Sequence, residues 1–323
     1  MAGPQFLRGL PRYLLATLRE LVNLKNWPLK IEIDGEQVFE GQSLLASSLN
    51  TSTYGGGMPA VPHANINDGQ LNLLVGGTFN TVTPGKSTTP ETRANLVRLN
   101  ADGTIDSAFD PNPNSTVAAI VVQSDGKILV GGTFNFVTPG RSSTPEARAN
   151  LVRLNADGTI DSAFDPNPNS TVSALVVQGD GKIILGGLFS ALRPGAFGNI
   201  NASFVSRNFI ARISGADGKL DDAFSPTLNG QVSTLQLQSD GKVVAGGAFS
   251  TAVGTDGKLD KTTDASGRST DSVPVRNRLA RFTPEGNLDF AYNPNANGNV
   301  LTSVLQSDGR LVIGGAFTTL QPN

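Results

Sequence analysis

Apolar and polar positions along the chain fall into short runs punctuated by Asp-Gly, and one pair of runs keeps returning. Residues 116–134 read TVAAIVVQSDGKILVGGTF; residues 171–189, 231–249 and 299–317 read TVSALVVQGDGKIILGGLF, QVSTLQLQSDGKVVAGGAF and NVLTSVLQSDGRLVIGGAF. Two β-branched-rich runs around Asp-Gly predict a hairpin, and a type I′ turn with φ > 0 at both central residues is the expected connection. The Gly-Gly before each Phe predicts a bulge, or a place where a neighbouring backbone comes close.

A second pair of runs follows each of these. Residues 95–110, NLVRLNADGTIDSAFD, recur unchanged at 150–165, with looser copies at 209–224 (FIARISGADGKLDDAF) and 278–292 (RLARFTPEGNLDFAY). Gly-Gly pairs begin at Gly76, Gly131, Gly186, Gly246 and Gly314, and residues 76–130 match residues 131–185 at 46 of 55 positions, which only duplication explains. A period of this size signals stacked supersecondary units. The DGK-x-x-x-GG-x-F and LVRLN-x-DG-x-ID-x-x-F elements resemble delta-60 repeats, a bacterial β-propeller repeat family, over residues 76–322. The resemblance implies an all-β fold, a β-propeller of about four to five four-stranded blades, and a secreted or cell-surface role. It implies no general activity.

In a meander blade the one–two and three–four turns share a rim. The two–three loops share the opposite rim with blade-to-blade connections such as residues 110–116. The two–three loops vary: the repeat Phe and the matching strand-three residue stand 17 apart at Phe79–Leu96 and Phe134–Leu151, 21 apart at Phe189–Ile210 and 30 apart at Phe249–Leu279. Repeat proteins place binding where one face varies, although drift in solvated loops leaves the same trace. The candidate partner-binding residues on these loops are Arg141, Arg193, Phe197, Asp256, Asp260 and Asp264. Residues 300–317 carry strand-one and strand-two copies without a following pair, and residues 71–109 lack a repeat-type strand one. Ring closure would set residues 300–317 beside residues 96–109, with residues 71–79 competing for the place of 311–317. An open arc would instead leave bare blade edges, which invite self-association.

Upstream the period changes. Leu7, Leu10, Leu14, Leu18 and Leu21 sit at helical spacing, and Pro11 puts the expected helix at residues 11–24. With Arg8, Arg12 and Arg19 around it, this helix either packs on its own domain or makes weak contact with a membrane surface. Residues 30–41 (KIEIDGEQVFEG) predict a further hairpin at Asp34-Gly35. Ile33-Asp34-Gly35, Asn50, Gly55-Gly56-Gly57-Met58, Pro62, Ala64 and Asn67-Asp68-Gly69 with Leu71 resemble the carboxy-terminal domain of diacylglycerol kinase-like lipid kinases. That resemblance implies a short helix and a β-sandwich fragment over residues 1–74, followed by the propeller over 75–323. Those kinases bind nucleotide on a separate amino-terminal domain through a Gly-Gly-Asp-Gly-Thr-type loop. Here the Gly-Asp-Gly of residues 179–181 is the turn of a repeat.

Composition narrows the chemistry. A formal charge of −2 leaves no electrostatic footprint for nucleic acid, and the absence of cysteine removes disulfides and thiolate chemistry. The single histidine, His63, cannot build a multi-histidine metal site and has no G-x-S-x-G partner motif. No apolar run reaches the ~18 residues of a membrane span. Arg8, Arg12, Arg19 and Glu20 break up any secretory signal, so the chain as it stands reads as cytoplasmic. Asn100-x-Asp102-Gly103 mimics the middle of an EF-hand loop, but Arg98 and Phe109 fall where ligand oxygens are required, so it reads as a turn. The segment 254–271 carries Asp256, Asp260, Asp264 and Asp271; calcium and a solvated polar loop are its two readings. Gly55-Gly56-Gly57 lacks the Lys-Ser/Thr of a phosphate loop. Arg98, Arg153, Arg212 and Arg281 share one strand-three register, and Asp106, Asp161, Asp221 and Asp289 one strand-four register, which predicts ion pairs inside the blades. The expectation is therefore a non-enzymatic module without catalytic, metal or cofactor residues, binding a protein or glycan partner through its variable loops. The alternative is a remnant or partial subunit of a diacylglycerol/lipid kinase, inactive without a nucleotide-binding domain.

Overall fold

The computed structural model describes the strands of residues 27–33, 36–43, 45–48, 53–54 and 58–59, and residues 73–322 apart from 85–86, 88, 101, 141, 143, 196–201, 264–268 and 307. The helix expected over residues 11–24 lies outside the described residues. Every element among the described residues is a strand.

Each repeat folds as the alternation of its sequence requires. In the second unit Val117–Val122, Ile128–Gly132 and Leu151–Leu154 form one antiparallel sheet in that order. The third unit (Val172–Val177, Ile183–Gly187, Ile210–Ile213) and the fourth (Val232–Leu237, Val243–Gly247, Leu279–Phe282) repeat it. The fourth strand is a single bridge in each unit: Leu99 to Ile105, Leu154 to Ile160, Ile213 to Leu220 and Phe282 to Leu288. It stops there because the next aspartate opens a turn, with the Phe164 N–H donating to the Asp161 carbonyl at 3.2 Å and the Ala163 N–H to Asp161 Oδ1 at 3.2 Å.

The first unit is composite. Its middle strand, Leu73–Gly76, pairs on one side with Leu96–Leu99, as in every repeat, and on the other with Leu45–Ser48. A strand from the kinase-like segment thus stands where the repeat sequence has no strand one. The fifth unit, Val300–Leu305 with Leu311–Gly315, is a two-stranded sheet. Closure of residues 300–317 onto residues 96–109 does not occur: the Leu96–Leu99 edge is taken by Leu73–Gly76, which precedes it closely in the chain and meets it at a smaller loop-closure cost. The result is an open arc in which strand one of each unit lies against strand one of the next. Farther upstream, Trp27–Ile33 and Glu36–Ser43 form the expected hairpin, with Ile33 opposite Glu36 across Asp34-Gly35.

The core is a series of interfaces between units rather than one central mass. Leu74, Leu96 and Phe109 of the first unit pack with Val117, Ile120, Val130 and Phe134 of the second. Leu129, Leu151 and Phe164 meet Val172, Leu175 and Phe189 of the third, and Ile184, Ile210 and Phe224 meet Val232, Leu235 and Phe249 of the fourth. A single sheet leaves one face bare, so each unit depends on its neighbour for burial. The first glycine of each Gly-Gly pair sets the spacing. A Cβ at Gly131 would stand 2.8 Å from Val172 Cγ1 of the next unit, and one at Gly76 2.5 Å from Val117 Cγ1. The bulge expected at the pair is present opposite it, between Val117 and Ala119.

The Asp-Gly turns depart from expectation. Gly126 and Gly181 have φ of 82° and 83°, but Asp125 and Asp180 do not join them at positive φ. The connection is therefore a type I turn closed by a left-handed glycine, not type I′; the Lys127 N–H donates to Asp125 Oδ1 at 3.1 Å and fixes the aspartate before the glycine.

These two glycine roles give separable outcomes. Gly181→Val is expected to cost about 1–3 kcal/mol through its backbone alone, with Gly181→Asn recovering most of it because Asn tolerates positive φ. Gly131→Val is expected to cost at least as much by overpacking, and Gly131→Asn should recover nothing. Urea unfolding of the four variants checks both, and equal behaviour of the two asparagine variants would contradict the assignment.

Candidate interaction rim and the links between units

The two–three loops begin after the buried repeat Phe and double back as small ribbons: Thr81–Val82 with Glu91–Thr92, Phe136–Val137 with Glu146–Ala147, and Ala191–Leu192 with Val205–Ser206. In the fourth unit the ribbon extends into Asp260–Thr263 paired with Ser269–Ser272. The blade-to-blade connections lie on the same rim, as the meander geometry requires. Pro113 bridges Val137, the Phe136 N–H donates to Asn114 Oδ1 at 3.1 Å, and Asn169 and Asn229 repeat the contact at Ala191 and Thr251. This asparagine clamp explains why the PNPNS connection is polar.

Large apolar side chains exposed to solvent gather on these loops. Phe136, Phe204, Val205, Leu259, Val273 and Val275 all belong to two–three connections, with Phe204 58% and Val275 54% exposed. Phe290 stands beside the fourth loop, under a cleft of about 580 Å³ lined by Asp256, Gly257, Lys258, Leu259, Asp260 and Asp271.

Of the residues singled out from sequence, the structure brings Asp256 and Asp260 to this one cleft. Asp256 is held by Lys258 at 3.0 Å, and its N–H donates to Asn287 Oδ1 at 3.1 Å. Burial alone would raise its pKa, but the Lys258 hydrogen bond and charge outweigh that and hold it below the ordinary carboxylate value. Asp260 faces Arg276 at 3.7 Å. Among the described residues no three His, Cys, Asp or Glu side chains come together as a metal cage. Arg193 lies in a different loop; its Nε donates to the Ala202 carbonyl at 2.8 Å and its guanidinium stacks 5.6 Å from the Phe204 ring centre, so it braces the loop that presents Phe204. Arg141, Phe197 and Asp264 lie outside the described residues.

Sequence reading missed the exposed loop aromatics as a set, and it missed a second arginine register. Arg93, Arg148, Arg207 and Arg276 each stand five residues before a strand-three arginine, a spacing visible in the sequence. Arg148 and Arg276 are buried in the loops, where each donates Nη1 to the carbonyl of the preceding residue at 2.7 Å. They anchor the ribbons from beneath.

The strand-three arginines make the ion pairs expected of them and one contact more. Arg98, Arg153, Arg212 and Arg281 meet Asp106, Asp161, Asp221 and Asp289 at 2.7, 2.8, 2.9 and 3.0 Å. Each guanidinium also lies 4.3 to 4.7 Å from an aromatic ring of its own unit: Phe109, Phe164, Phe224 or Tyr292. Lys127, Lys182 and Lys242, from the Asp-Gly turns, reach the same aspartates at 2.8, 3.0 and 3.5 Å. The arginine then reaches forward into the next unit. Arg98 Nη1 donates to the Ala156 carbonyl at 2.6 Å, Arg153 Nη2 to Ala216 at 2.7 Å, with Nη1 bound to Gly215, and Arg212 Nη1 to Pro284 at 2.5 Å. These acceptors are the three–four turn of the following unit. Only a planar, five-donor head group serves an aspartate, a ring face and a carbonyl at once.

Burial raises the pKa of Asp161, Asp221 and Asp289, but the lysine hydrogen bonds and arginine charges outweigh it, and all three sit below the ordinary value of 3.8. A depressed carboxylate stabilises the fold fully above its unfolded pKa and loses that contribution as pH falls through its folded one. The urea midpoint is therefore expected to hold steady down to about pH 4 and then to fall. Arg153→Met is expected to cost about 2–4 kcal/mol near neutrality, and Arg281→Met about half as much, since only Arg153 binds a following turn. Equal losses in the two variants would remove the forward link from the account.

Two family models match the chain. Residues 3–83 match the YegS C-terminal NAD kinase beta sandwich-like domain, and residues 67–109, 123–164, 238–262 and 306–322 match the domain of unknown function (DUF5122) beta-propeller. The two matches overlap across the strand Leu73–Gly76, which pairs with the kinase-like strand on one side and the repeat strand on the other. Diacylglycerol kinases of two strains of Mycobacterium tuberculosis are 37% identical over 67 residues, 21% of this chain and 22% of theirs, so the chain spans about a fifth of the length of these curated relatives. Similar solved structures include the WD40 beta propeller domain of Doa1 (TM-score 0.44, 14% identity, 77% of this chain and 73% of that one) and a chain of the Mitotic Checkpoint Complex (TM-score 0.40, 14% identity, 78% and 69%). The chain thus joins DUF5122 propeller repeats to a segment of the YegS carboxy-terminal class. No helix among the described residues is long and apolar enough to cross a membrane.

Proposed function

We propose that the chain is a non-enzymatic binding module that engages a protein partner through the rim of its two–three loops. The observation that carries this reading is the concentration of exposed Phe136, Phe204, Val205, Leu259, Val273 and Val275 on those loops, above a bed of buried arginines. Clustered exposed apolar side chains with a polar surround suit a protein surface better than a glycan, which would ask for aromatic platforms beside many free polar groups. Variation in loop length concentrates on the same rim, and the repeated Arg, Asp and Lys side chains are committed to holding the units together. Asp256, Asp260 and Arg193 then shape the rim, the first two at the mouth of the fourth-unit cleft and the third beneath Phe204.

A second reading, a partial subunit of a diacylglycerol kinase, rests on the match of residues 3–83 and on the 37% identity to the mycobacterial kinases. In it residues 1–74 are the kinase-derived part and 75–323 the propeller, and activity needs a nucleotide-binding domain from another chain.

Phe136, Phe204 and Val275 are exposed enough to change without unfolding the protein, since surface substitutions stay within about 0.5 kcal/mol. A partner retained by the wild-type chain is expected to be lost from the F136S/F204S/V275S variant, and to be kept by a variant altered at Lys182 and Lys242 on the opposite rim. Retention by the loop variant would exclude this rim. Phosphorylation of diacylglycerol from ATP by the purified chain would favour the kinase reading instead.

A further inference from the structure

The fifth unit ends in a strand whose outer edge differs from every other middle strand. Leu73–Gly76, Ile128–Gly132, Ile183–Gly187 and Val243–Gly247 each carry a strand three on that edge in one register, with Gly131 opposite Leu151, Val130 opposite Val152, Leu129 opposite Arg153 and Ile128 opposite Leu154. Among the described residues Leu311–Gly315 pairs only with Val300–Leu305. We propose that the edge formed by residues 311–317 is an acceptor for a three–four hairpin of this repeat class, of the type Asn-Leu-Val-Arg-Leu-Asn-x-Asp-Gly-x-Ile-Asp-x-x-Phe, supplied by another protein that carries the repeat. This surface is separate from the loop rim and does not depend on the function proposed for it.

Three features of the edge match the hairpin that fills its counterparts. First, Val312 is 49% exposed, whereas Leu129 and Ile184 at the same register are fully buried. What buries Leu129 includes Phe164, and what buries Ile184 includes Phe224, the last residues of the three–four hairpins. Second, the turn residue Arg310 is 81% exposed and reaches only Asp308 of its own turn, at 3.5 Å. Its counterparts Lys127, Lys182 and Lys242 hold the strand-four aspartate of that hairpin. Third, the carbonyls of Phe79, Phe134, Phe189 and Phe249 accept the N–H of the residue opening strand three, at 2.8 to 2.9 Å. Among the described residues no backbone N–H of this kind reaches the Phe317 carbonyl. Edge backbone, an apolar socket and a cation are thus disposed as in four complete units. Pairing by backbone gives affinity, and the socket and the charge give register and selectivity. A second copy of this chain is a poorer donor, because its three–four hairpins are already folded into their own units.

The test uses the full chain and a fluorescent peptide with the sequence of residues 150–165. The expected result is saturable one-to-one binding, weakened about fivefold by Arg310→Glu and restored toward the wild-type value when the peptide carries Lys at the position of Asp161. Val312→Lys is expected to weaken binding as well, and circular dichroism should show both variants folded. Absence of saturable binding to the folded chain would overturn the proposal, as would equal affinity for the wild type and both variants. A concentration-dependent dimer of the chain, abolished by Val312→Lys and not displaced by the peptide, would assign the edge to a second copy and overturn it too.

Discussion

The interaction on which the rest of the molecule depends is the forward reach of the strand-three guanidinium into the next unit. Within its own unit Arg153 neutralises Asp161 and lies on Phe164; beyond it, the same head group binds the Gly215 and Ala216 carbonyls. The arginine is only 4% exposed, so each of these contacts acts in a medium of low polarity, where an unmet charge is expensive. That is why the Arg register survives in the fourth unit, where the surrounding sequence has drifted to RLARFTPEGNLDFAY. Side by side with the valine-into-glycine contact at Gly76, Gly131 and Gly186, it indexes each unit against its neighbour in angle and in height.

Much of this was legible in the sequence because it repeats. The Asp-Gly hairpins, the buried Phe after Gly-Gly, the bulge and the Arg–Asp pairing all follow from local spacing, and each appears in the structure. What was not legible depends on partners far along the chain. Nothing in residues 45–48, LASS, shows the repeat's strand-one pattern, yet they fill that place, because an edge accepts any extended backbone that is near enough. The carbonyl ends of the arginine links were hidden for a similar reason: a backbone acceptor has no residue signature. The turn type failed on a finer point. Asp-Gly suits both a type I′ turn and a type I turn closed by glycine, and the lysine after it, through its N–H, selects the second.

The candidate rim was legible only in outline. Loop length singled out the correct loops, but the charged residues drawn from them are mostly occupied: Arg193 with Ala202 and Phe204, Asp256 with Lys258. The loops' exposed character is apolar instead, in residues that sequence patterning assigns to no face. The price of longer loops shows in the backbone. Asn95 and Asn150 open strand three at φ near 61°, which asparagine accepts, while the longer loops of the third and fourth units place Phe209 and Arg278 there at 67° and 66°.

The links between units also have a direction, and direction matters to a chain made from one end. Arg98, Arg153 and Arg212 find their carbonyls 58, 62 and 72 residues later, never earlier. At ribosomal speeds of about 5–20 residues per second, each guanidinium emerges roughly 3 to 14 s before its acceptor does. During synthesis the growing array therefore always carries one unsatisfied arginine at its newest unit, and each arriving turn quenches it while the next one appears. The fold is thus assembled as a relay, in which every finished blade is the template that selects its successor.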